Sequence, residues 1–474
     1  GRLIASAKSW LCNGAVDRQA PILPWGAPDE VAKISPVQAS ASYLAQMRAA
    51  WDAAHPEHPL AQQEVVLTVP ASFDDAARAL TLAAARDAGI SRVRLLEEPQ
   101  AAFYDCLDRH HETLETDLAD VRLALVLDVG GGTTDLTFIA VELRESGPRL
   151  TRIAVGDHIL LGGDNMDHAL ARTCEVALAG GDPNGKLPAG RFAQLLQHCR
   201  AAKEQLLSSN APESLPITLL GGGSKIVAGR QSTTLTRAQV YEMVVEGFFP
   251  RVELSAQPQT RRSGLVEFGL PFAADPVITR HVAAFLTRNR AQVAEALGLT
   301  HEQLDAEPHR LLPDVVLFNG GVFLAKSLEE RMLQVLSEFR GGPIGQLDNA
   351  SPEVAVARGA VAYGLARRGL GLKIGGGSPR SYYLVVEAEG QRERGVCVLP
   401  RGAEEGEELI LKERSFSLRT GQPVRFRLLT STRELRHRAG ELVTLDETYQ
   451  ALPEIAAVIE AKGSQAQELQ VQLH

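Results

Sequence analysis

The sequence predicts an α/β protein that ends in an all-β unit. Two strand patterns, residues 64–70 (EVVLTVP) and 92–99 (RVRLLEEP), are each followed by a helical pattern, and this alternation is typical of α/β folds. A glycine-rich segment at 369–381 precedes short strand patterns over 382–474, with no helical pattern among them. Since 474 residues are too many for one hydrophobic core, we expect more than one domain.

The elements between these landmarks follow from periodicity. Residues 125–138 (LVLDVGGGTTDLTF) hold two apolar runs joined by a short glycine bend, which favours an antiparallel hairpin. Residues 314–321 (DVVLFNGG) predict another buried strand, which ends in paired glycines. We expect helices at 36–54, 166–208 (interrupted at 180–188), 237–250, 325–339 and 351–369, short strands at 215–236, and an irregular surface segment at 252–275.

Composition argues against several classes of function. The formal net charge of −9 gives no electrostatic support for binding nucleic acid, and no apolar stretch is long enough to span a bilayer. The five cysteines lie far apart without a CxxC pair, which favours reduced thiols over disulfides or a zinc site. We therefore expect a cytoplasmic protein that binds neither nucleic acid nor membrane.

The glycine bend at 130–132 is the first candidate binding site. Because glycine has no Cβ, its main-chain N–H groups can approach a phosphate chain closely. Asp128, at the end of the strand, is placed to hold a hydrated Mg²⁺ or to orient a water, and Thr133 offers a hydroxyl to a terminal phosphate. The alternative is a tight hairpin in which Asp128 and Asp135 merely occupy a turn.

Two further glycine pairs lie on elements of the same α/β region. GDHILLGGDNMD, residues 156–167, places Gly162 and Gly163 between apolar residues and acids. Gly320 and Gly321 lie at a strand end, where open α/β sheets bind ligands. Each pair alone is compatible with an ordinary turn, but three such turns in one chain favour a shared phosphate site.

These motifs together resemble the DnaK-type (heat-shock-70) chaperone family of the actin-like ATPase superfamily. VVLTVPASFDDAARALTLAAARDAGI, from residue 65, is similar to the family's strand-and-helix signature, and LLEEPQAAFYD to its NEPTAAA segment. LDVGGGTTDL resembles its second phosphate loop, and GDHILLGGDNMD resembles GDTHLGGEDFD with one extra residue. DVVLFNGG and SPEVAVARGAVAYG resemble its adenosine strand and closing helix.

The resemblance implies an actin-like (ribonuclease H-like) two-lobed ATPase domain over residues 1–368. Lobe I would be mainly 1–118 and 348–368, and lobe II would be 119–347. Residues 369–381 would be a linker, and 382–474 a β-sandwich that binds extended polypeptide; the alternative is a scaffold domain without a groove. The family's first phosphate loop, LGTTNS, has no counterpart, so we expect an N-terminally truncated, divergent member that by itself binds ATP weakly or not at all.

The resemblance also nominates individual residues. Lys8, in ASAKSWL, would steady the attacking water and the γ-phosphate, and Glu98 would link hydrolysis to domain coupling. Asp128 and Thr133 would be the other catalytic residues, with Asp128 holding Mg²⁺ through water. The cofactor, ATP or ADP with Mg²⁺, would be bound at Gly130, Gly131, Gly132, Thr134, Asp135, Gly162, Gly163, Asp164, Lys203, Gly320, Gly321 and Glu353.

Some positions depart from the family pattern. Arg200 stands where a glutamate is usual, Leu324 replaces an arginine beside the adenine, and Asn165 replaces an acid. The family's acidic-leucine linker is replaced by GLGLKIGGG. These departures bear on hydrolysis, nucleotide affinity and signalling between domains.

Three functions are therefore compared. The first is an ATP-dependent folding chaperone of the stress-response type, which couples ATP hydrolysis to the binding of unfolded polypeptide and works with co-chaperones. The second is a non-hydrolysing regulator, such as a nucleotide-exchange or holdase partner, which the changed adenosine pocket favours. The third is an actin-like assembly protein or a sugar kinase, against which the β-rich end counts.

Overall fold

A computed structural model describes most of the chain, in two compact units. The first unit comprises residues 1–149 and 153–373, and the second comprises 150–152 and 374–474. The description leaves out residues 1–3, 5, 29, 72, 145–146, 158, 220–230, 260–272, 301, 304–306, 376–377, 379, 389–391, 404–408, 412–415, 420–422, 432–436, 447–448, 453–454, 459–467 and 472–474.

The first unit opens with helices that surround a small parallel sheet. Strands β1 (Val65–Val69) and β2 (Val93–Glu97) pair in parallel, as the strand–helix–strand pattern predicts. The helix between them begins after Asp74, whose carboxylate accepts a hydrogen bond from the N–H of Ala77 at 2.6 Å. The helices here are α1 (Ala7–Cys12), α2 (Pro36–Ala54), α3 (Asp75–Asp87), α4 (Glu98–Arg109) and α5 (Leu114–Asp117), with a 3₁₀ turn at Leu60–Gln62.

A larger mixed sheet forms the centre of the first unit. Strand β3 (Leu123–Val129) pairs antiparallel with β4 (Thr134–Arg144), which confirms the hairpin predicted over 125–138. On its other side β3 pairs in parallel with β8 (Val315–Asn319). With β5 (Gly147–Val155) and β9 (Gly345–Leu347), the strand order is β5–β4–β3–β8–β9.

Helices flank this sheet, and a separate pair of strands lies beyond it. Strands β6 (Ser214–Leu219) and β7 (Gln231–Thr236) pair antiparallel. The helices are α6 (Gly163–Leu178), α7 (Ala189–Leu206), α8 (Arg237–Val240), continued by a π-helical turn at Tyr241–Glu246, α9 (Ile278–Arg288), α10 (Arg290–Ala296), α11 (Lys326–Arg340) and α12 (Pro352–Ala366). Two 3₁₀ turns occupy Pro308–Leu311 and Gly321–Leu324.

The hydrophobic core explains why β3 and β8 are apolar except for Asp128 and Asn319 near their ends. Every residue of β3 is buried, as is every residue of β8, because helices cover both strands. The main buried cluster runs from Leu123 to Leu336 and includes residues of α6, α7, α9 and α11. A separate small cluster, with Leu11, Val69 and Phe73 among its members, lies beside β1. The residues of the main cluster lie within the range predicted for lobe II, and those of the small cluster lie within the range predicted for lobe I. The lobe boundaries stay a prediction.

The second unit consists of strands in the part that the structure describes. The strands are β11 (Ser381–Ala388), β12 (Arg392–Leu399), β13 (Phe416–Arg419), β14 (Pro423–Phe426), β15 (Leu428–Ser431), β16 (Leu442–Thr444), β17 (Gln450–Ala451), β18 (Ile455–Val458) and β19 (Glu468–Val471). A five-stranded antiparallel sheet has the order β16–β12–β11–β15–β17, and two further pairs are β13–β19 and β14–β18. That these strands form a β-sandwich stays a prediction.

Two sequence-based expectations differ from the structure. The predicted linker over 369–381 is interrupted by a short strand, β10 (Ile374–Gly375), which pairs in parallel with Leu150 and Thr151 and buries Ile374. The strand pattern over 92–99 ends earlier, at Glu97, because Glu98 and Pro99 form the first turn of α4, where an N–H at the proline would have no partner in the helix. Most of the predicted surface segment 252–275 lies outside the described residues.

No helix among the described residues combines the length and the apolar character needed to cross a membrane.

Candidate functional site

The register of the central sheet brings three polar side chains to one edge. Asp128 lies opposite Asp135 on β4 and beside Asn319 on β8. All three side chains are buried, with relative exposures of 7%, 2% and 1% respectively. The amide Nδ2 of Asn319 donates a hydrogen bond to Asp128 Oδ2 at 2.8 Å. Asp128 is therefore a buried carboxyl group at the strand ends, and the hydrogen bond from Asn319 fixes its orientation.

The first two glycine turns pack directly on one another. Gly163 N–H donates to the carbonyl of Gly130 at 3.0 Å, and Asp164 N–H donates to that of Gly131 at 2.8 Å. A Cβ on Gly162 would lie 2.5 Å from Gly130 O and 2.6 Å from Gly131 O, which is too close for any side chain. Glycine at 162 therefore allows the second turn to contact the backbone of the first.

The third glycine turn reaches the same place from β8. Gly320 has φ +88°, a conformation that side chains disfavour. A Cβ there would lie 2.3 Å from Val129 O and 2.7 Å from Asp128 Oδ1. The structure thus brings Gly130, Gly162 and Gly320 together around Asp128, instead of leaving them on separate surfaces.

Lys8 and Glu98 form an ion pair beside these turns. Lys8 Nζ lies 2.5 Å from Glu98 Oε1; half of the lysine side chain is exposed, whereas that of Glu98 is mostly buried. Glu98 is held in place because it opens α4, and Lys8 lies in the first turn of α1. The two helices therefore deliver one cation and one acid to the site.

The ionisable groups in this cluster shift one another's pKa values. Burial, together with the carboxylates of Glu98 and Asp135, raises the pKa of Asp128 to about 7, although the Asn319 hydrogen bond and Lys8 oppose the rise. Burial likewise raises the pKa of Glu98, with Asp135 adding to the effect and Lys8 opposing it. Desolvation would lower the pKa of Lys8, but Glu98, Asp135 and Asp128 together outweigh it and the pKa is raised. Lys8 is therefore a cation at neutral pH, whereas Asp128 is poised between its two states.

Lys203 is fixed behind the second turn. Its Nζ lies 2.7 Å from Asp167 Oδ1 and donates to the carbonyl of Gly163 at 3.3 Å. Burial raises the pKa of Asp167, and Lys203 opposes that rise. The predicted cofactor contact of Lys203 stays a prediction, since in this structure its ammonium group bonds to the protein.

The remaining predicted residues differ in how close they lie to the cluster. Thr133 is buried in the bend, where its carbonyl accepts from Gly130 N–H at 3.0 Å. The hydroxyl of Thr134 donates to Leu161 O at 2.8 Å, so it joins two turns and is already engaged by the protein. Gly132 carries no side chain at this bend, and Gly321 opens a 3₁₀ turn with free space beside it. Glu353 is exposed in the first turn of α12, and its place in a cofactor site stays a prediction.

Three polar residues at the site are not among the residues predicted to form it. Ser9 is buried, and its Oγ would lie 2.7 Å from a Cβ on Gly132, so it packs against the first bend. Asn319 contacts Asp128 directly, and Asn349 Nδ2 donates to Asn319 Oδ1 at 3.1 Å. The polar Asn319 at the end of an apolar strand is a signal that the sequence carries. Asn349 has no such signal, because its contact depends on a loop after β9.

This arrangement has the chemistry of a phosphate site. Main-chain groups converge at bare turns, a lysine supplies positive charge, and buried carboxylates supply oxygen ligands. No group of three or more His, Cys, Asp or Glu residues could hold a metal ion among the residues described. The residues fit Mg²⁺ that is coordinated mainly by phosphates and water, with Asp128 as an acceptor for a bound water.

A family comparison agrees with the motifs. The model of the family described as "Hsp70 protein" matches residues 19–263, which is more than half of the chain. The match includes Glu98, Asp128, the first two glycine turns and Lys203. Lys8 precedes it, and Asn319 and Gly320 follow it, so the family match does not cover these residues.

Curated relatives carry the name "Chaperone protein HscA homolog". The protein of Bordetella pertussis is 34% identical over 279 residues, covering 55% of this chain and 39% of the relative. That of Pseudomonas fluorescens Pf-5 is 33% identical, covering 56% and 37%. That of Polynucleobacter necessarius subsp. necessarius is 34% identical, covering 49% and 33%. The matches thus span between a third and two fifths of the relatives' length.

Proposed function

The chain belongs to the Hsp70 family, and from this premise we propose that it is an ATP-dependent molecular chaperone. In this proposal ATP binding and hydrolysis are coupled to the binding of unfolded polypeptide, with co-chaperones as further partners. The observation that carries the proposal is the convergence of three glycine turns on Asp128, with the Lys8–Glu98 ion pair beside them. The α/β architecture is consistent with an actin-like ATPase fold.

The glycine turns would hold the phosphates. Nothing lies within 4 Å of where a Cβ would be at Gly321, and only Thr133 O, at 3.8 Å, does so at Gly130, so a phosphate chain could approach the main chain there. The bare Cα atoms of Gly162 and Gly320 let the three turns pack on one another. Mg²⁺, bound with the nucleotide, would neutralise charge on the phosphate oxygens. Asp128 would hold this ion through water.

The ionisable residues would orient the attacking water. Lys8 stays charged at neutral pH because acids surround it, so it can stabilise negative charge on a terminal phosphate. Glu98 keeps the lysine in place through their ion pair. The hydroxyl of Thr133 would donate to the terminal phosphate, and Asp128 and Asp135 would accept hydrogen bonds from water. Such a site works by positioning and charge neutralisation, without a covalent intermediate.

The β-rich second unit is proposed as the polypeptide-binding part, a β-sandwich over 382–474. Its antiparallel sheet ends in short strands at both edges, β16 and β17. An extended peptide can add main-chain hydrogen bonds to such an edge. A scaffold unit without a groove is the alternative, and it predicts no peptide binding.

The test is nucleotide hydrolysis by the intact gene product that contains this chain. We expect Mg²⁺-dependent ATP hydrolysis that falls by roughly 100-fold or more in Lys8→Ala, because a preorganised charge at the phosphate is lost. Lys186→Ala, in the exposed turn between α6 and α7, is the matched control and should keep full activity. Equal rates in both variants would contradict the proposed role of the site.

A second candidate is a relative that binds nucleotide without turning it over. It is favoured by the adenine side, where Arg200 pairs with Glu204 at 3.2 Å on α7 and Leu324 is 54% exposed. Saturable Mg·ADP binding together with no ATP hydrolysis above that of Lys8→Ala would select this candidate. Polymerisation with ATP would instead select an actin-like assembly protein.

A further inference from the structure

The hydrogen bond from Asn319 to Asp128 depends on the orientation of the Asn319 amide. Asn319 ends β8, is 1% exposed, and gives its Nδ2 to Asp128 Oδ2. A side-chain amide can rotate by half a turn and exchange its nitrogen and oxygen. In that orientation Asn319 Oδ1 would face the Asp128 carboxylate, and the contact would be repulsive. The Asp128 carboxylate therefore favours the observed orientation, and a second group that engages the oxygen of Asn319 would fix it more firmly.

Asn349 is this second group. Its Nδ2 donates to Asn319 Oδ1 at 3.1 Å and to the carbonyl of Phe318 at 2.9 Å. With its oxygen engaged by Asn349, Asn319 must direct its nitrogen at Asp128. Asn349 itself has little freedom to turn over, because its own Oδ1 would then face two oxygen atoms. Each amide thus fixes the orientation of the next.

The loop that carries Asn349 is anchored to α4. Arg109 Nη2 donates to the carbonyl of Asp348 at 3.0 Å, and Arg109 Nη1 lies 3.2 Å from Asp348 Oδ2. The same guanidinium bonds Asp105 Oδ2 at 2.9 Å. Because α4 also carries Glu98 at its start, one helix fixes both the acid beside Lys8 and the loop behind Asp128.

The other side of Asp128 is closed by the third glycine turn. Its Oδ1 would lie 2.7 Å from a Cβ on Gly320, so the carboxylate packs against a bare Cα. Asp128 is thereby held on one side by an amide and on the other by the backbone. From this geometry we propose that Asn319 and Asn349 are positioning residues, an amide relay that fixes the orientation of the Asp128 carboxylate. An effect of this relay on nucleotide binding rests on the proposed function, in which the Asp128 carboxylate orients water.

The relay is tested first on the nucleotide-free chain by the side-chain amide resonances of ¹⁵N-labelled asparagine. The Asn319 resonance is assigned by its loss in Asn319→Ser. We expect it to shift in Asn349→Ala, and at least as far in Asn349→Asp, which keeps the size of the side chain but has no N–H to donate. Asn289→Ala is the matched control, since Asn289 is a buried asparagine whose amide donates to Phe285 O at 2.8 Å, away from the site.

The outcomes separate the relay from the proposed function. An Asn319 resonance that stays in place in Asn349→Ala and Asn349→Asp, in folded variants, overturns the relay. A shift in both, absent from Asn289→Ala, supports it. In a nucleotide-binding wild type, the Kd for Mg·ADP should rise about two- to tenfold in Asn349→Ala, the loss of about one hydrogen bond. A wild type that binds no nucleotide refutes the proposed function, and the resonances still decide on the relay.

Discussion

At the scale of single residues, two buried aspartates illustrate how environment decides charge. Asp314 accepts hydrogen bonds from Arg122 Nη2 at 2.8 Å and from Arg340 Nη2 at 2.7 Å, besides two main-chain N–H groups. Burial would raise its pKa, but these donors outweigh burial and the pKa is lowered. Asp128 accepts from Asn319 and faces two other acids, and its pKa is raised to about 7. Asp314 therefore stabilises the fold as an anion, whereas the charge on Asp128 destabilises it.

The two sites predict opposite effects of removing the charge. The folded pKa of Asp128 lies above its unfolded value, so folding loses stability as the pH rises from about 4 to about 7. Asp128→Asn should therefore be more stable than wild type at pH 8, by up to roughly 2–4 kcal/mol, and the gain should vanish near pH 4. Urea unfolding at both pH values measures this difference, and a variant less stable than wild type at pH 8 would contradict it.

Asp314→Asn is the control with the opposite sign. The folded pKa of Asp314 lies below its unfolded value, so its contribution is present at neutral pH and is lost as the pH falls below about 4. The variant should lose roughly 1–3 kcal/mol of unfolding free energy at pH 7 and much less in acid. A loss that does not change between pH 7 and pH 3 would show that the charge is not the cause.

Residues that the motifs contain could be predicted at this scale, and residues that only the register brings in could not. Asp128 and the glycines follow one another along the chain, so a local pattern reveals them. Asn349 contacts Asn319 only because β8 and β9 pair in parallel and set the start of the next loop. Ser9 meets Gly132 only because α1 packs near the bend.

At the scale of elements, α4 and α12 cross so closely that a glycine is required. A Cβ on Gly359 would lie 1.7 Å from the carbonyl oxygen of Ala101 and 3.0 Å from Asp105 N. The crossing joins the helix that begins with Glu98 to the helix that follows the loop of Asn349. The two helices therefore act as one support for the site.

The crossing predicts a sharp difference between two glycines of one helix. Gly359→Ala should lower the unfolding free energy by roughly 2–3 kcal/mol, because backbone must move to admit the methyl group. Gly364→Ala, whose nearest neighbour is a Val66 methyl at 3.9 Å, should be neutral or stabilising by up to about 1 kcal/mol, since alanine favours helices. Thermal unfolding of both variants measures the difference; equal effects would contradict the close crossing.

Elements with local periodicity could be predicted, and elements made by distant pairing could not. The spans of β1, β2 and α2 and the β3–β4 hairpin follow from apolar spacing and turn residues. Strand β10 does not, because Ile374 and Gly375 become a strand only by pairing with β5, more than two hundred residues earlier in the chain. A glycine-rich segment without periodicity predicts a linker. Ile374 and Gly375 are too short a pattern within it to predict a strand.

At the scale of the whole molecule, the proposed function requires that nucleotide and polypeptide affect each other's binding. Thermodynamic linkage makes this effect reciprocal. In the intact gene product, a fluorescent apolar peptide should bind with an affinity that differs between Mg·ATP and Mg·ADP by about five- to 150-fold. Fluorescence anisotropy measures it, with Lys186→Ala as a control that should behave as wild type. An equal affinity for the peptide in Mg·ATP and Mg·ADP would contradict coupling between the nucleotide site and polypeptide binding.

The central claim is that three glycine turns form a single nucleotide site, and Gly162→Ala tests it most directly. Its methyl group would separate the second turn from Gly130 and Gly131, while Gly190→Ala, with open space around it on α7, serves as the control. We expect calorimetry of the intact gene product to show saturable Mg·ADP binding in wild type and Gly190→Ala. The Kd should rise by roughly tenfold or more in Gly162→Ala, a loss of about 1.4 kcal/mol. Unchanged affinity in Gly162→Ala, or no binding by the wild type, would contradict the claim.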